Sequence, residues 1–137
     1  MIEVHYTIVK EDYANAGVVS SQIKSLLKEL DISATVLRRI AISCYEAEIN
    51  MIIHSDGGDI YFTLDDVDCS IQFMDKGPGI KDIEQAMTPG YSTAQEKARE
   101  FGFGAGMGLP NIKKNSDHFS LSSTPQGTHL TIGFKVK

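Results

Sequence analysis

Tryptophan is absent from this sequence, cysteine occurs twice and proline four times. The two cysteines, Cys44 and Cys69, are 25 residues apart and show no Cys-x-x-Cys or Cys/His spacing. They support neither a disulfide framework nor a zinc site and are expected to be reduced thiols in the core. No apolar run approaches the roughly 18 residues that a bilayer crossing requires. Residues 1–20 hold no positive start followed by an apolar stretch, so no secretory signal is expected and the chain reads as cytoplasmic. Excess positive charge is also missing. Lys and Arg number 13 against 18 Asp and Glu, a net charge of −5, which disfavours a nonspecific hold on nucleic acid or an anionic membrane. A local phosphate pocket made of backbone N–H groups is still allowed. There are no repeats, low-complexity tracts or linkers, and 137 residues fit one domain spanning 1–137.

Hydrophobic periodicity orders what is there. Residues 2–9 alternate Ile2, Val4, Tyr6 and Ile8 against Glu3, His5 and Thr7, which predicts a strand. Asp12 is an N-cap candidate for a helix over 13–29, with a stripe of Val19, Ile23, Leu26, Leu27 and Leu30. Ser33 caps a second predicted helix, 34–54, whose stripe is Leu37, Ile40, Cys44, Ala47 and Met51; Gly57 and Gly58 end it. Asp59–Leu64 and Cys69–Met74 form a hairpin around an acidic turn. Seven of the twelve glycines then fall between Gly77 and Gly108, too dense for a core element, so this stretch reads as a loop with specific conformational demands, broken by a short helix at 84–87. A last helix follows over Leu109–Asn115, with Pro110 near its start, and strands His118–Ser123 and Thr128–Val136 close the chain. The predicted fold class is α/β: a two-layer sandwich with a mixed, mostly antiparallel sheet covered by helices on one face.

Four constellations carry candidate chemistry. Glu46, Asn50 and His54 are spaced by four and share one side of the second helix. Desolvation would suit Glu46 to a base role, and the Asn50 amide oxygen suits a hard cation such as Mg²⁺. A solvated polar helix face is the plainer reading of the same spacing. Asp75, followed by Lys76-Gly77-Pro78-Gly79-Ile80, places a carboxylate at a strand end beside a turn that can approach a flat ligand, or is simply a tight acidic turn. Gly102-Phe103-Gly104-Ala105-Gly106-Met107-Gly108-Leu109-Pro110-Asn111-Ile112 exposes successive N–H groups and leads into a helix, the geometry of a phosphate cradle or of a flexible hinge. It is not a Walker loop, because no Gly-Lys-Ser/Thr follows, and it lacks the leading strand of a dinucleotide fingerprint. Gly127-Thr128 opens the last strand, where a hydroxyl could reach a ligand or water, or merely turn a hairpin.

In this order the four motifs resemble the ATP-binding domain shared by DNA gyrase, the heat-shock chaperone ATPase, sensor histidine kinases and the mismatch-repair ATPase, the Bergerat fold. They are most similar to the small stand-alone serine-protein kinases and anti-sigma factors of bacterial stress and sporulation programmes, over nearly the whole chain. The resemblance implies ATP and Mg²⁺ as cofactors, with Asn50 holding the metal and Glu46 acting as or assisting the general base. It implies that Asp75 reads the adenine amino group beside Gly77, Gly79 and Ile80. Gly104, Ala105, Gly106, Met107, Gly108 and Leu109 would follow the phosphates, and Thr128 would lie near an adenine-bound water. His54 is a phosphate neighbour or a helix-end cap, with the cap favoured. Pro89–Ala94 resembles a lid region, and the segment from about 83 to 101 is expected to order over ATP. Lys76, Lys97 and Arg99 are candidate phosphate contacts, although surface ion pairing is the plainer role for each.

The implied activity is transfer of the γ-phosphoryl group to serine or threonine of a small regulatory protein. The alternative is a module that sequesters a sigma factor or other regulator under nucleotide control. Implied partners are an anti-anti-sigma-like protein and a sigma factor, with homodimerisation expected from the family and no nucleic acid or membrane. Glu48 lies about 200° around the helix from Glu46 by helical geometry and should face away from the site. No helix bearing a phosphoacceptor histidine precedes the domain, so an intact sensor histidine kinase is not expected. His5, His118 and His129 read as sheet-surface residues. Gln22, Lys24 and Lys28 on the first helix form either a partner surface or a solvated face.

Overall fold

A computed structural model describes residues 1–80, 87 and 108–137. Strand β1 (Ile2–Ile8) leads through a 3-10 turn (Tyr13–Asn15) into helix α1 (Val18–Glu29) and then helix α2 (Ala34–His54). Strands β2 (Gly58–Leu64) and β3 (Asp68–Asp75) follow, then helix α3 (Gly108–Asn115) and strands β4 (His118–Thr124) and β5 (Gly127–Lys135). The described strands form one sheet in the order β1-β2-β3-β5-β4. The expected mixed sheet is antiparallel at every described pairing: β2–β3 and β4–β5 are hairpins, and β1–β2 and β3–β5 pair antiparallel across longer connections.

Register explains the two layers. Val4, Phe62, Ile71, Ile132 and Phe119 lie opposite one another across all five strands, and Tyr6, Ile60, Phe73, Leu130 and Leu121 form a second such row. Phe62, Ile71 and Ile132 are fully buried, each contributing about 1.5–3 kcal/mol on transfer from water. The row between them, His5, Tyr61, Gln72, Thr131 and Ser120, faces away from the core. His5 stacks on Tyr61 and bonds Asp59, and His129 bonds Gln72, so both histidines take the sheet-surface roles expected of them. Cys44 and Cys69 are buried free thiols, both shifted upward by desolvation, Cys69 to about 12.

Helix α2 is the spine. Ser33 caps it by accepting from the Val36 N–H, and the five predicted stripe residues are all buried. At its other end the Ser55 hydroxyl donates to the Met51 carbonyl and accepts from the Gly57 N–H. The predicted helix over 13–29 is interrupted: Asp12 precedes only the 3-10 turn, its carboxylate accepting from the Asn15 amide, and α1 starts after Gly17. Gly17 has φ +91°, a left-handed conformation in which an N-cap side chain would be strained, and α1 has no side-chain cap of its own. Leu30, predicted in the α1 stripe, is 39% exposed just past the helix end.

Candidate nucleotide site

One part of the site is built between α2 and α3. Arg39 fastens the two helices at their far ends: its Nε donates to the Asn115 carbonyl at 2.9 Å and its guanidinium pairs with Asp117 at 2.7 Å. Nearer the glycine-rich segment the helices touch through polar groups. The Asn111 side chain donates to Glu46, which is half-buried; burial pushes the Glu46 carboxyl above its ordinary range and the Asn111 contact pulls it partly back. A Cβ on Gly108 would stand 3.0 Å from both Nδ2 and Oδ1 of Asn50. Glycine therefore lets the first residue of α3, where N–H groups lack intrahelical partners, come against that amide. His54 ends α2, and burial lowers its pKa, which favours the neutral imidazole.

The other part lies where the Asp75–Ile80 loop meets the β4–β5 turn. Asp75 is the last residue of β3, and its Oδ1 accepts from the N–H of Thr128 at 2.8 Å and of Gly77 at 3.0 Å. Burial raises the Asp75 pKa, these two bonds oppose the rise, and Asp56 adds to it. The Thr128 hydroxyl bonds Ser123 Oγ at 2.8 Å, which also accepts from the Ile80 N–H at 2.6 Å. Gly79, at φ +87°, lies so close to the Thr124 carbonyl that a Cβ would collide with it. The two motifs, about fifty residues apart in sequence, are thus one hydrogen-bonded unit.

Gly58 joins the two parts. A Cβ there would meet the Asp75 Cα at 2.7 Å and the Met51 methyl at 2.9 Å, so the residue after Asn50 lies beside the backbone of Asp75. Asn50 and Gly108 meet between α2 and α3 with Glu46 beside Asn111; Asp75, Gly77, Gly79, Ile80 and Thr128 meet at the β4–β5 turn; and Leu109 packs on the core. Lys76 is exposed and its N–H bonds the Gly57 carbonyl. Gly104, Ala105, Gly106, Met107, the lid segment with Pro89–Ala94, Lys97 and Arg99 lie outside the described residues, as does the short helix at 84–87 apart from Met87, which is in a turn.

Sequence reasoning missed Asn111 and Ser123, each of which completes a motif from a distant segment. Only the position of Asn111 in the first turn after the glycine run hinted at its role. Glu48 does face away from Glu46, as the helical angle required, but it is not idle. It is 1% exposed; its Oε2 accepts from the N–H of Gly17 and Val19, and its Oε1 from the N–H and hydroxyl of Ser20.

These residues can cradle an anion at the start of α3, ligate a hard cation through Asn50, and read a donor group at Asp75. Among the described residues no cluster of three or more His, Cys, Asp or Glu could bind a metal by itself. That donor set suits Mg²⁺, which needs few protein ligands when phosphates complete its shell.

The chain belongs to the histidine kinase-, DNA gyrase B- and HSP90-like ATPase family, whose model matches residues 37–137. Within that family it is similar to the anti-sigma F factor of Bacillus licheniformis, 30% identical over 139 residues, covering 95% of this chain and 90% of the relative. It is also similar to the serine/threonine-protein kinase RsbT of Bacillus subtilis (strain 168), 30% identical over 112 residues and 78% of each chain. The fold is shared with a crystal structure of the RsbU and RsbW domains of Rv1364c from Mycobacterium tuberculosis: the TM-score is 0.68 at 15% identity, over 99% of this chain and 33% of that one. No helix among the described residues is long and apolar enough to cross a membrane.

Proposed function

We propose that this protein is a Mg²⁺-dependent kinase that transfers the γ-phosphoryl group of ATP to a serine or threonine of a small regulatory protein. The observation that carries the reading is the contact between the Asn50 amide and Gly108 beside a half-buried, Asn111-bonded Glu46. Asn50 would hold Mg²⁺, which supplies charge neutralisation at the phosphates. The amides opening α3, with those of Gly104–Met107, would receive the phosphate oxygens. Glu46, kept basic by desolvation, would accept the proton of the incoming hydroxyl while the Asn111 amide holds the carboxylate in place. Asp75 would accept from the adenine amino group on the oxygen that Gly77 and Thr128 leave open, with the Thr128–Ser123 hydroxyl pair next to it.

A second reading, a nucleotide-controlled module that sequesters a sigma factor, is favoured by the several relatives named anti-sigma F factor. The test is incubation with Mg-ATP and a panel of small acceptor proteins and sigma factors, alongside Glu46→Ala and Asn50→Ala. The kinase reading expects phosphate on a partner serine or threonine with the native protein only. Tight sigma-factor capture without transfer would replace it with the second reading.

A further inference from the structure

We infer that Glu48 is a positioning residue for phosphoryl transfer: it holds the first turn of α1 as one wall of the cleft that leads to Glu46. The inference rests on the kinase reading above. Helix α1 cannot cap itself, because its N-cap residue is Gly17 in a left-handed conformation. A side chain at that position would also press on the Tyr45 ring, whose nearest carbon is 3.2 Å from where a Cβ would be. The capping carboxylate instead comes from the middle of α2. Glu48 takes donors from Gly17 (3.0 Å), Val19 (3.3 Å), the Ser20 N–H (2.9 Å) and the Ser20 hydroxyl (2.7 Å), which satisfies the N–H groups of the N-cap residue and of the second and third helical residues with an anion at the positive end of α1.

What this anchoring protects is the cleft. An open depression of about 1,170 Å³ runs between the outer sides of α1 and α2. Ala16, Gly17, Val18 and Ser20 line it on one side, Tyr45 and Glu46 on the other. Glu46 therefore belongs to two places: it lines this cleft, and through Asn111 it touches the helix whose first residue meets Asn50. A hydroxyl reaching Glu46 along the cleft would pass the turn that Glu48 holds. The hydrogen bonds of Glu48 go to Gly17, Val19 and Ser20 and not to the residues assigned to nucleotide, so its work is on the acceptor side of the reaction.

The carboxylate is required, because all four hydrogen bonds to Glu48 are donated to it, three of them by backbone N–H groups that cannot accept. A glutamine of the same shape would turn an NH₂ against at least one backbone N–H in either orientation.

The experiment compares native protein with Glu48→Gln at a temperature where both are folded. It reads Mg-ATP affinity by calorimetry, amide exchange in α1, and release of inorganic phosphate from Mg-ATP with water as acceptor. The expected result is at least tenfold faster exchange at Gly17, Val19 and Ser20, at least a tenfold fall in kcat, and Mg-ATP affinity and KM for ATP within threefold of native. Unchanged kcat, or kcat and nucleotide affinity falling together, would overturn the inference and leave Glu48 a purely stabilising residue. Native protein that binds Mg-ATP but releases no phosphate would also overturn it, while leaving nucleotide binding in place. Native protein that fails to bind Mg-ATP would overturn the kinase reading itself. If Glu48→Gln does not fold, Ser20→Ala decides: a two- to fivefold fall in kcat at unchanged KM supports the inference, and unchanged kcat overturns it.

Discussion

Opposite sides of α2 carry the same functional group in different settings. On one side Glu48 is 1% exposed and its two oxygens take four hydrogen bonds, one from Gly17 and three from the first turn of α1. On the other, Glu46 is half-buried and held by the Asn111 side chain. Donor count separates their uses. A carboxylate surrounded by backbone N–H groups is fixed in place as a structural acceptor. One desolvated beside a single movable amide keeps its basicity and its reach. Asp75 lies between these cases, with one oxygen tied to two backbone N–H groups and the group held in place for recognition.

That comparison can be broken most forcefully at Glu46. Glu46→Gln is expected to lower single-turnover transfer by about 10²–10⁴-fold, the range for loss of a general base, with Mg-ATP affinity within threefold of native. Its stability in urea should be no lower than native, since burial disfavours the ionised form that the amide replaces. The same experiment on the other side should give the reverse pattern. Glu48→Ala leaves three backbone N–H groups and a hydroxyl without their acceptor and is expected to cost about 2–4 kcal/mol in urea denaturation. Were Glu48→Ala neutral for stability, or Glu46→Gln strongly destabilising, the division of labour along α2 would fail.

Asp75→Asn sharpens the intermediate case. Asparagine keeps an oxygen for the Gly77 and Thr128 N–H groups but loses the charge and one acceptor position. Stability is expected to change by less than about 1 kcal/mol, while ATP affinity measured by calorimetry falls at least tenfold, about 1.4 kcal/mol or more.

The smallest effect is a shift in pH dependence. Because burial raises the Glu46 pKa, the acid limb of the transfer-rate profile should lie above the ordinary 4.5. Asn111 lowers that pKa, so Asn111→Ala should move the limb to still higher pH. The sign for stability is opposite to that of a salt-bridged acid: with the folded pKa raised, the folded chain binds the extra proton, and stability falls as pH rises from 4.5 through the folded value. A limb moving to lower pH in Asn111→Ala would contradict the assignment of Asn111 as the donor to Glu46.

Legibility in the sequence followed the range of the interactions. Helix α2 could be read from Ser33 to His54, because its cap and its stripe are both local patterns. The hairpins followed from alternation, and the Asp65 turn is local too, its carboxylate accepting from the Val67 and Asp68 N–H groups. The start of α1 was not legible, because what caps it is Glu48, 31 residues away from Gly17 and satisfied across a helix–helix contact. Of the candidate site, the Glu46–Asn50 spacing and the Asp75 turn could be read residue by residue. Their partners could not: Asn111 and Ser123 reach them from beyond the glycine-rich segment, and nothing in the local pattern of either motif says which amide or hydroxyl will arrive. The behaviour of His54 was also hidden, since its spacing places it on the right side of α2 while its burial depends on the packed structure.

The most direct test is ATP affinity measured by calorimetry with and without Mg²⁺, in native protein and Asn50→Ala. The account predicts that native protein binds ATP at least tenfold more tightly with Mg²⁺ present, and that Asn50→Ala loses most of this enhancement while its metal-free affinity stays within threefold. Binding indifferent to Mg²⁺, or an undiminished enhancement in Asn50→Ala, would contradict it.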